Sequence, residues 1–474
     1  MPTHSQPRSY MEVGYVPAHE DGGPVLKVVP DALCTRCGVC DPICPTDVIR
    51  FDRVGYPVIQ TEGCIACGLC VDVCPGVRFD YRENYRQMFG IEEPPRRLAG
   101  FQRSAWLCRS PDPEVQQAGS GGGVITQILL GLLAEGEIDA ALSVGQDPAN
   151  PLWPAPAISR TRDEIIATAG SKYCVVPQAK GLRQVRRRKE RFAFVGVGCQ
   201  VEGLRNLEKF NRSLARRSLL TIGLACHGTL EREATQVLLQ HRRVPLPSVR
   251  RFHYRGGAFP GKFQAEMDDG SRRDMHHYEY KDAAYNYLFH LYTPQRCLDC
   301  TDFSAEFTDL SVADYWVRGE DGHYLHREGS SLVLCRTRRG EEMLLRLMAA
   351  GHLAGSPMEA AEVDRAFQPL WKEKRVSPFV RAERLRARGE TPPDYGLQPE
   401  RPLTSSDRRG ERLQALTFIF SHGDFTRRLM VKLLFSPLGD LFTGLNILRK
   451  RWLGKRRAVR HSLRNSGKSA GASE

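Results

Sequence analysis

The chain has 474 residues, 41% of them hydrophobic and 26% charged, the balance of a folded globular protein rather than a disordered or fibrous one. Its length allows two to four domains. The net charge of +13 is uneven: residues 421–474 hold 12 Lys and Arg against 3 Asp and Glu, so the basic character bears on a partner surface more than on an active site.

The 15 cysteines invite a disulfide reading. The start of the chain does not read as a secretory leader, so a reduced cytoplasmic protein is expected, in which Cys-x-x-Cys runs are metal ligands. Apolar pieces such as ITQILLGLLA are broken by charge well before the roughly 20 residues that span a bilayer, and no transmembrane segment is expected.

Residues 1–25 form a polar lead-in with scattered Pro and Gly. The next segment, 26–85, contains a repeat: Cys34, Cys37, Cys40 and Cys44 recur 30 positions later as Cys64, Cys67, Cys70 and Cys74, with Pro45 and Pro75 closing each run. In this C-x2-C-x2-C-x3-C-P pattern three thiolates of a run hold one iron–sulfur cube and the fourth reaches the other. Cys34, Cys37, Cys40 and Cys74 are therefore assigned to one 4Fe-4S cluster, and Cys64, Cys67, Cys70 and Cys44 to a second. Four soft thiolates would suit zinc taken singly, but two overlapping sets with terminal prolines suit it poorly. Gly38 and Gly68 relieve crowding where each loop folds over its cluster. The short runs VLKVV, VIRFD and PVIQ flank the turns as extended pieces of an α+β ferredoxin-like domain.

A linker at 86–99 (ending EEPPRRLA) leads to a region at 100–390 that alternates in the α/β manner, with a mixed sheet. ALSVG, RFAFVG and LLTIGLA read as strands, and VITQILLGLLAEG and the segment after Cys199 as amphipathic helices. Residues 250–275 look like a hairpin. ADYW and SSLVLCRT suit further strands, and GEEMLLRLMAAGHL a helix. The extension at 391–474 holds two helical basic stretches, DFTRRLMVKLLF and NILRKRWLGKRRAVRHSL, separated by a Pro-Gly break.

Four later cysteines follow a pattern of their own. Cys199 and Cys226 each follow a predicted strand, where strand ends present residues together, and Cys297-x-x-Cys300 forms a pair. A further metal centre, a redox-active dithiol and structural thiols are all compatible with this spacing. Cys108, Cys174 and Cys335 have no spacing partner and read as core residues. The turn AGSGGG places Ser120, Gly121, Gly122 and Gly123 just before a helix, where backbone N–H groups would hold a phosphate; an ordinary flexible turn fits equally. No G-x-x-x-x-G-K-[ST] motif occurs, and GVGCQVEG has Val201 where a dinucleotide fingerprint has its third glycine. Gly170, Ser171, Lys172 and Tyr173 offer small donors, a cation and an aromatic ring, which suit a flavin or phosphate contact and equally a solvent-facing loop.

With these residues in order, the chain resembles the beta-subunit family of coenzyme F420 hydrogenases and dehydrogenases, which also contains 7-hydroxymethyl chlorophyll reductase and a class of divinyl chlorophyllide reductase. The likeness spans roughly residues 30–345: the Gly-rich turn, the GSKY segment, the Cys-Gln element, the strand ending in Cys226 and CLDCTDFSAEFTDLSVAD. It implies an FAD held by Ser120, Gly121, Gly122, Gly123 and Thr126 with Gly170, Ser171, Lys172 and Tyr173. It also implies a third 4Fe-4S cluster on Cys199, Cys226, Cys297 and Cys300. Two departures stand out. Val197 and Gly198 replace the family's Thr-Pro, and Ala313 replaces the glycine of Ser-Val-Gly-Asp.

Clusters pass single electrons while a flavin joins them to two-electron chemistry. The implied activity is a flavin-dependent reductase or dehydrogenase exchanging electrons with ferredoxin or another redox subunit. Its substrate would be a small two-electron acceptor or donor such as coenzyme F420 or a conjugated molecule of the tetrapyrrole kind. His227 is the preferred proton-handling residue because imidazole titrates near neutrality, with a purely supporting role beside the cluster as the alternative. Lys172, Asp314 and Asp302 are weaker candidates, and His253, His276 and His277 fit a rim position or plain solvent exposure. Two other readings compete: a non-catalytic electron-input subunit, and a module docking to a membrane surface or an acidic partner through the basic C-terminus. Nucleic-acid binding has little support without a finger or stacking motif. An oligomer is compatible with the sequence.

Overall fold

The computed structural model describes residues 15–16, 25–276, 284–318, 323–326, 328–418 and 423–449. Most of the lead-in, His277 and the chain beyond residue 449 lie outside the described residues.

Each cysteine run folds as a tight turn ending in a single turn of helix, Cys40–Ile43 and Leu69–Asp72. The turns need Gly38 and Gly68, whose φ values of +87° and +77° lie in the left-handed region. At Gly38 a Cβ would also stand 2.6 Å from the Pro177 carbonyl oxygen, so this turn is pressed against the larger domain. Between and around the turns run β1 (Tyr15–Val16), β2 (Val25–Lys27), β3 (Ile49–Phe51) and β4 (Pro57–Ile59). They form a small antiparallel sheet in the order β1-β2-β4-β3.

The larger domain is built on eight strands: β5 (Ser104–Arg109), β6 (Ala140–Asp147), β7 (Asn150–Ser159), β8 (Phe192–Val197) and β9 (Ser218–Leu224), then β13 (Leu310–Asp314), β14 (Ser331–Cys335) and β15 (Ala354–Pro357). Between β9 and β13 a separate three-stranded antiparallel sheet intervenes, formed by β10 (Val249–Gly256), β11 (Lys262–Met267) and β12 (Arg272–Asp274). The large sheet runs β15-β5-β14-β13-β9-β8-β6-β7, with β13, β9, β8 and β6 mutually parallel and the rest antiparallel. The apolar face of helix Val124–Ala134, through Ile128, Leu129 and Leu132, packs with Leu220, Ile222 and Val333 of these strands. ADYW is only half a strand: pairing of β13 with β14 stops at Asp314–Ser331, and Tyr315 and Trp316 continue without a ladder.

The cysteine segment and the α/β domain share one core. Cys37, Val39, Val73, Phe79, Tyr81 and Tyr85 pack with Phe192, Phe194, Leu204 and Phe307. The segment 86–99 is tied down at its end, since Leu98 and Ala99 are buried and the Ala99 carbonyl accepts from fully buried Arg336. The chain beyond 391 also returns to the front: Phe79 and Tyr81 donate backbone N–H bonds to the carbonyls of Asp394 and Tyr395. Helices Ser405–Thr417, Asp424–Leu434 and Pro437–Arg449 follow. Among the described residues no single helix is long and apolar enough to cross a membrane.

Candidate functional site

Cys34, Cys37, Cys40 and Cys74 line one cavity with Val28, Val29 and Val39, so the structure brings together three cysteines of the first run and the last of the second. All four are buried. Burial, and then the neighbouring Cys74, pushes the Cys37 thiol up to about 11, and the same two causes raise Cys34 further. Thiols crowded in an apolar wall cannot all ionise on their own; a polycationic iron centre removes that penalty. The donor chemistry therefore fits a cluster. Cys67, Cys70 and Cys44 gather on the outer side, where burial, then Cys67 and Cys44, pushes Cys70 up to about 11, and Cys64 packs with Cys70 on the core that holds Cys44. Here Cys67 is exposed and Cys64 and Cys70 are half-buried. Among the described residues no three His, Cys, Asp or Glu converge on a single-ion position. A single ion draws its ligands to within about 2.3 Å of one atom, whereas a cube's thiolates each hold a different iron.

The second cysteine group sits at the carboxyl edge of the parallel strands. Cys199 begins helix Gly198–Phe210 directly after β8, and Cys226 follows β9, its N–H donating to the Phe303 carbonyl at 2.8 Å. The Cys297–Cys300 turn meets them there. Desolvation, and then Cys300, Cys297 and Cys226, raises Cys199 well above the usual thiol range, as expected of four thiols lying close together. Helix Gly198–Phe210 also reaches the buried front set: a Cβ on Gly203 would lie 3.2 Å from the Cys37 sulfur. Gly203 is one helical turn beyond Cys199. The cysteine groups thus form a file, outer set, inner set, strand-edge set, with a single helix touching the last two.

Gly198 explains one departure from the expected pattern. A Cβ there would stand 2.2 Å from Asp302 Oδ2, so this corner is glycine because a buried carboxylate approaches it. Both Asp302 oxygens lack hydrogen-bond partners among the described residues, and burial followed by Glu306 pushes its carboxyl up to about 6. Glu202, one turn along the same helix, is pushed up to about 8 by burial and Asp302, and accepts from Tyr81 Oη at 3.2 Å.

Residues beyond 361 clamp the strand-edge group. Arg381 donates to the Leu298 carbonyl, Tyr395 Oη to the Asp299 carbonyl at 2.9 Å, and Arg296 Nη1 to Tyr395 Oη at 2.7 Å. Lys374 is buried, and Cys300, Cys226 and Cys297 help keep it charged against desolvation. Sequence reading missed this lysine, because WKEKR has the composition of a solvated helix face. His227 stands beside Cys226, with Nε2 2.5 Å from Glu373 Oε2 and its ring stacked on Phe289 at 4.7 Å. The Glu373 carboxyl lies below its usual range, chiefly through the hydrogen bond with His227.

The Gly-rich turn lies at the same edge. A Cβ on Gly121 would meet Asp314 Oδ1 at 2.7 Å, and one on Gly122 the Cys108 carbonyl oxygen at 2.8 Å, so backbone alone fits between β5 and the start of β14. Gly122 N–H donates to Ser331 Oγ at 3.3 Å. Helix Val124–Ala134 starts from Gly123 at φ +68° with no side chain capping it, and Thr126 is buried in its first turn. Its leading N–H groups suit an anion, so the donor set fits a cofactor phosphate. The second predicted segment docks here: Ser171 N–H donates to Ser120 Oγ at 2.7 Å, and Gly170 adopts φ +84° beside Ala118. Lys172 turns back, donating to the carbonyls of Thr168 and Ala169; desolvation pulls it down to about 7. Tyr173 meets Tyr254 edge-on at 5.9 Å.

Asp314 is paired with Arg255 Nη1 at 2.6 Å, and the Arg255 guanidinium lies 4.9 Å from the Trp316 ring, which stacks on Phe259. This buried arginine, delivered by the β10–β11 hairpin, had no signal in the sequence. His253 is held by Glu266 at 2.9 Å, and His276 is buried against Asp440 at 3.0 Å.

The family described as coenzyme F420 hydrogenase/dehydrogenase, beta subunit, matches in two parts, its N-terminal portion over residues 105–183 and its C-terminal portion over 189–361; residues 33–78 match a 4Fe-4S dicluster domain. The coenzyme F420 hydrogenase subunit beta of Methanothermobacter thermautotrophicus is 27% identical over 269 residues, covering 55% of this chain and 87% of that one. That of Methanosarcina barkeri is 25% identical over 257 residues, covering 53% and 80%. The chloroplastic 7-hydroxymethyl chlorophyll a reductase of Oryza sativa subsp. japonica is 28% identical over 250 residues, covering 52% of this chain and 50% of that one. The chain belongs to the coenzyme F420 hydrogenase/dehydrogenase beta-subunit family, carries a 4Fe-4S dicluster domain in front of it, and is an iron–sulfur oxidoreductase.

Proposed function

We propose that the chain carries electrons between a one-electron carrier and a two-electron substrate, through two clusters in the N-terminal domain, a third at the strand edge and an FAD at the Gly-rich turn. The observation that carries this reading is the file of cysteines. Its outer set is solvent-accessible at Cys67, and its inner members share the helix Gly198–Phe210. In it Cys34, Cys37, Cys40 and Cys74 hold the inner cluster, Cys64, Cys67, Cys70 and Cys44 the outer, and Cys199, Cys226, Cys297 and Cys300 the third. A bound flavin supplies the exchange between single electrons and a hydride equivalent.

The chain's own residues then have separate tasks. The N–H groups at Gly123 to Thr126 hold the cofactor's phosphates, with Ser120 and Ser171 closing the turn beside them. Arg255, fixed by Asp314, braces the Trp316 and Phe259 rings, whose planar faces suit a conjugated substrate of the F420 or tetrapyrrole kind. His227, held by Glu373, is positioned to hold or pass a proton beside the third cysteine group.

The relatives named as hydrogenase subunits support a partner redox subunit, or ferredoxin, facing Cys67. Anaerobic purification with iron, acid-labile sulfide and flavin analysis tests the whole reading. About twelve irons and one FAD per chain are expected. About eight irons without flavin would leave an electron-input subunit as the better account.

A further inference from the structure

The C-terminal helices wear their apolar side outward. Of the 16 large hydrophobic side chains that are exposed among the described residues, 10 fall between Leu413 and Leu448. In helix Pro437–Arg449 the exposed large apolar positions are Leu438, Leu441, Phe442, Leu445 and Leu448, a single face at helical spacing, each more than half exposed. The opposite face, which packs on the protein, is mixed: Thr443 is fully buried, Asp440 is held by His276 at 3.0 Å, and half-buried Ile447 falls on the same side. The larger apolar side chains are thus the outward ones, where an ordinary surface helix turns them inward. The preceding helix, Asp424–Leu434, packs Val431 on the protein with half-buried Met430 and Leu434, and still leaves Phe425, Leu429 and Leu433 exposed.

Charge says what covers this face. Arg428, Lys432 and Arg449 are exposed on the same two helices, and the chain from 421 onward has 12 basic against 3 acidic residues. Asp440 is turned inward to His276. A face of leucine and phenylalanine edged by cations, with acids so few, matches the boundary of an anionic bilayer, where apolar side chains sink among acyl chains and Lys and Arg meet headgroups. The two helices bend by 66° at their junction, which suits lying along a surface rather than crossing it. We infer that the C-terminal helix pair docks this protein in the plane of an anionic lipid membrane. The inference stands on residues outside the family match and does not depend on the redox reading.

The test uses the full chain with vesicles of phosphatidylcholine alone or mixed with phosphatidylglycerol, separated by sedimentation. Binding is expected on the anionic vesicles, at least about tenfold stronger than on neutral ones and weakened by salt. Leu441→Gln/Leu445→Gln should lose it by about tenfold or more, and Arg428→Gln/Lys432→Gln should remove most of the lipid and salt dependence. Unchanged iron–sulfur absorption and circular dichroism report that the variants fold, and the salt and lipid dependence of the unaltered chain needs no variant. Absence from both vesicle pellets, or equal binding to both, overturns the inference. So does a dimer in sedimentation velocity that the leucine variant dissociates, which would assign the face to a second copy.

Discussion

The two cysteine runs of the N-terminal domain have the same spacing and opposite surroundings. Cys34, Cys37 and Cys40 are buried, the turn at Gly38 lying against Pro177 and Cys37 beside helix Gly198–Phe210; Cys64, Cys67 and Cys70 stand at or near solvent. Ligand geometry is a local property, written in the intervals between cysteines. Which set faces a partner and which faces the interior depends on what packs against each turn.

The largest expected contrast is between Cys37→Ala and Cys67→Ser. Either should lower iron by about four per chain. Only the inner substitution should also cut soluble yield and thermal stability sharply, because Cys37 belongs to the core shared with Phe192 and Leu204. Equal thermal shifts in the two variants would erase the distinction between inner and outer sets.

Glu202 sharpens the same contrast through pH. Its carboxyl is pushed up to about 8 in the folded chain, against about 4.5 when unfolded, so between those values the folded state holds the extra proton. Stability from this group is complete below about 4.5 and is lost as pH rises through about 8. Glu202→Gln should remove that loss, a difference of a few kcal/mol, read as a denaturation midpoint that no longer falls toward alkaline pH. A parallel decline in both proteins would show that Glu202 is not the group responsible.

Gly203→Val should cost about 1–3 kcal/mol by overpacking, because its Cβ would press on the Cys37 sulfur and Val39. The expected sign is a perturbed spectrum of the inner cluster with the outer one unchanged. The smallest effect is predicted for Lys374→Met. Removing a buried cation beside Cys300, Cys226 and Cys297 should lower the midpoint potential of the proposed strand-edge cluster by roughly 60 mV, equivalent to about 1.4 kcal/mol for one electron. A redox titration followed by electron paramagnetic resonance reads it, and an unmoved potential would leave Lys374 a structural plug.

Much of the scaffold was legible before the structure. ALSVG, RFAFVG and LLTIGLA became the parallel strands β6, β8 and β9, and VITQILLGLLA a helix, because apolar period and β-branching act within a few residues. The GSKY segment and the Gly-rich turn were named as one site and do touch, through Ser171 and Ser120. Less was visible of the polar supports. The cation at Arg255 and the carboxylate at Asp314 are 59 positions apart, and Lys374 comes from a helix that nothing in its own composition connects to cysteines.

The sequence by itself determined the kind of chemistry: the intervals of the cysteines and the order of the family motifs specify iron–sulfur electron transfer, since ligand spacing is a short-range constraint on the backbone. Tertiary structure alone decided which cysteines lie inward, which buried charges sit beside them, and that the last helices turn leucine toward solvent. Those outcomes depend on contacts between residues distant along the chain, for which composition and periodicity carry no signal.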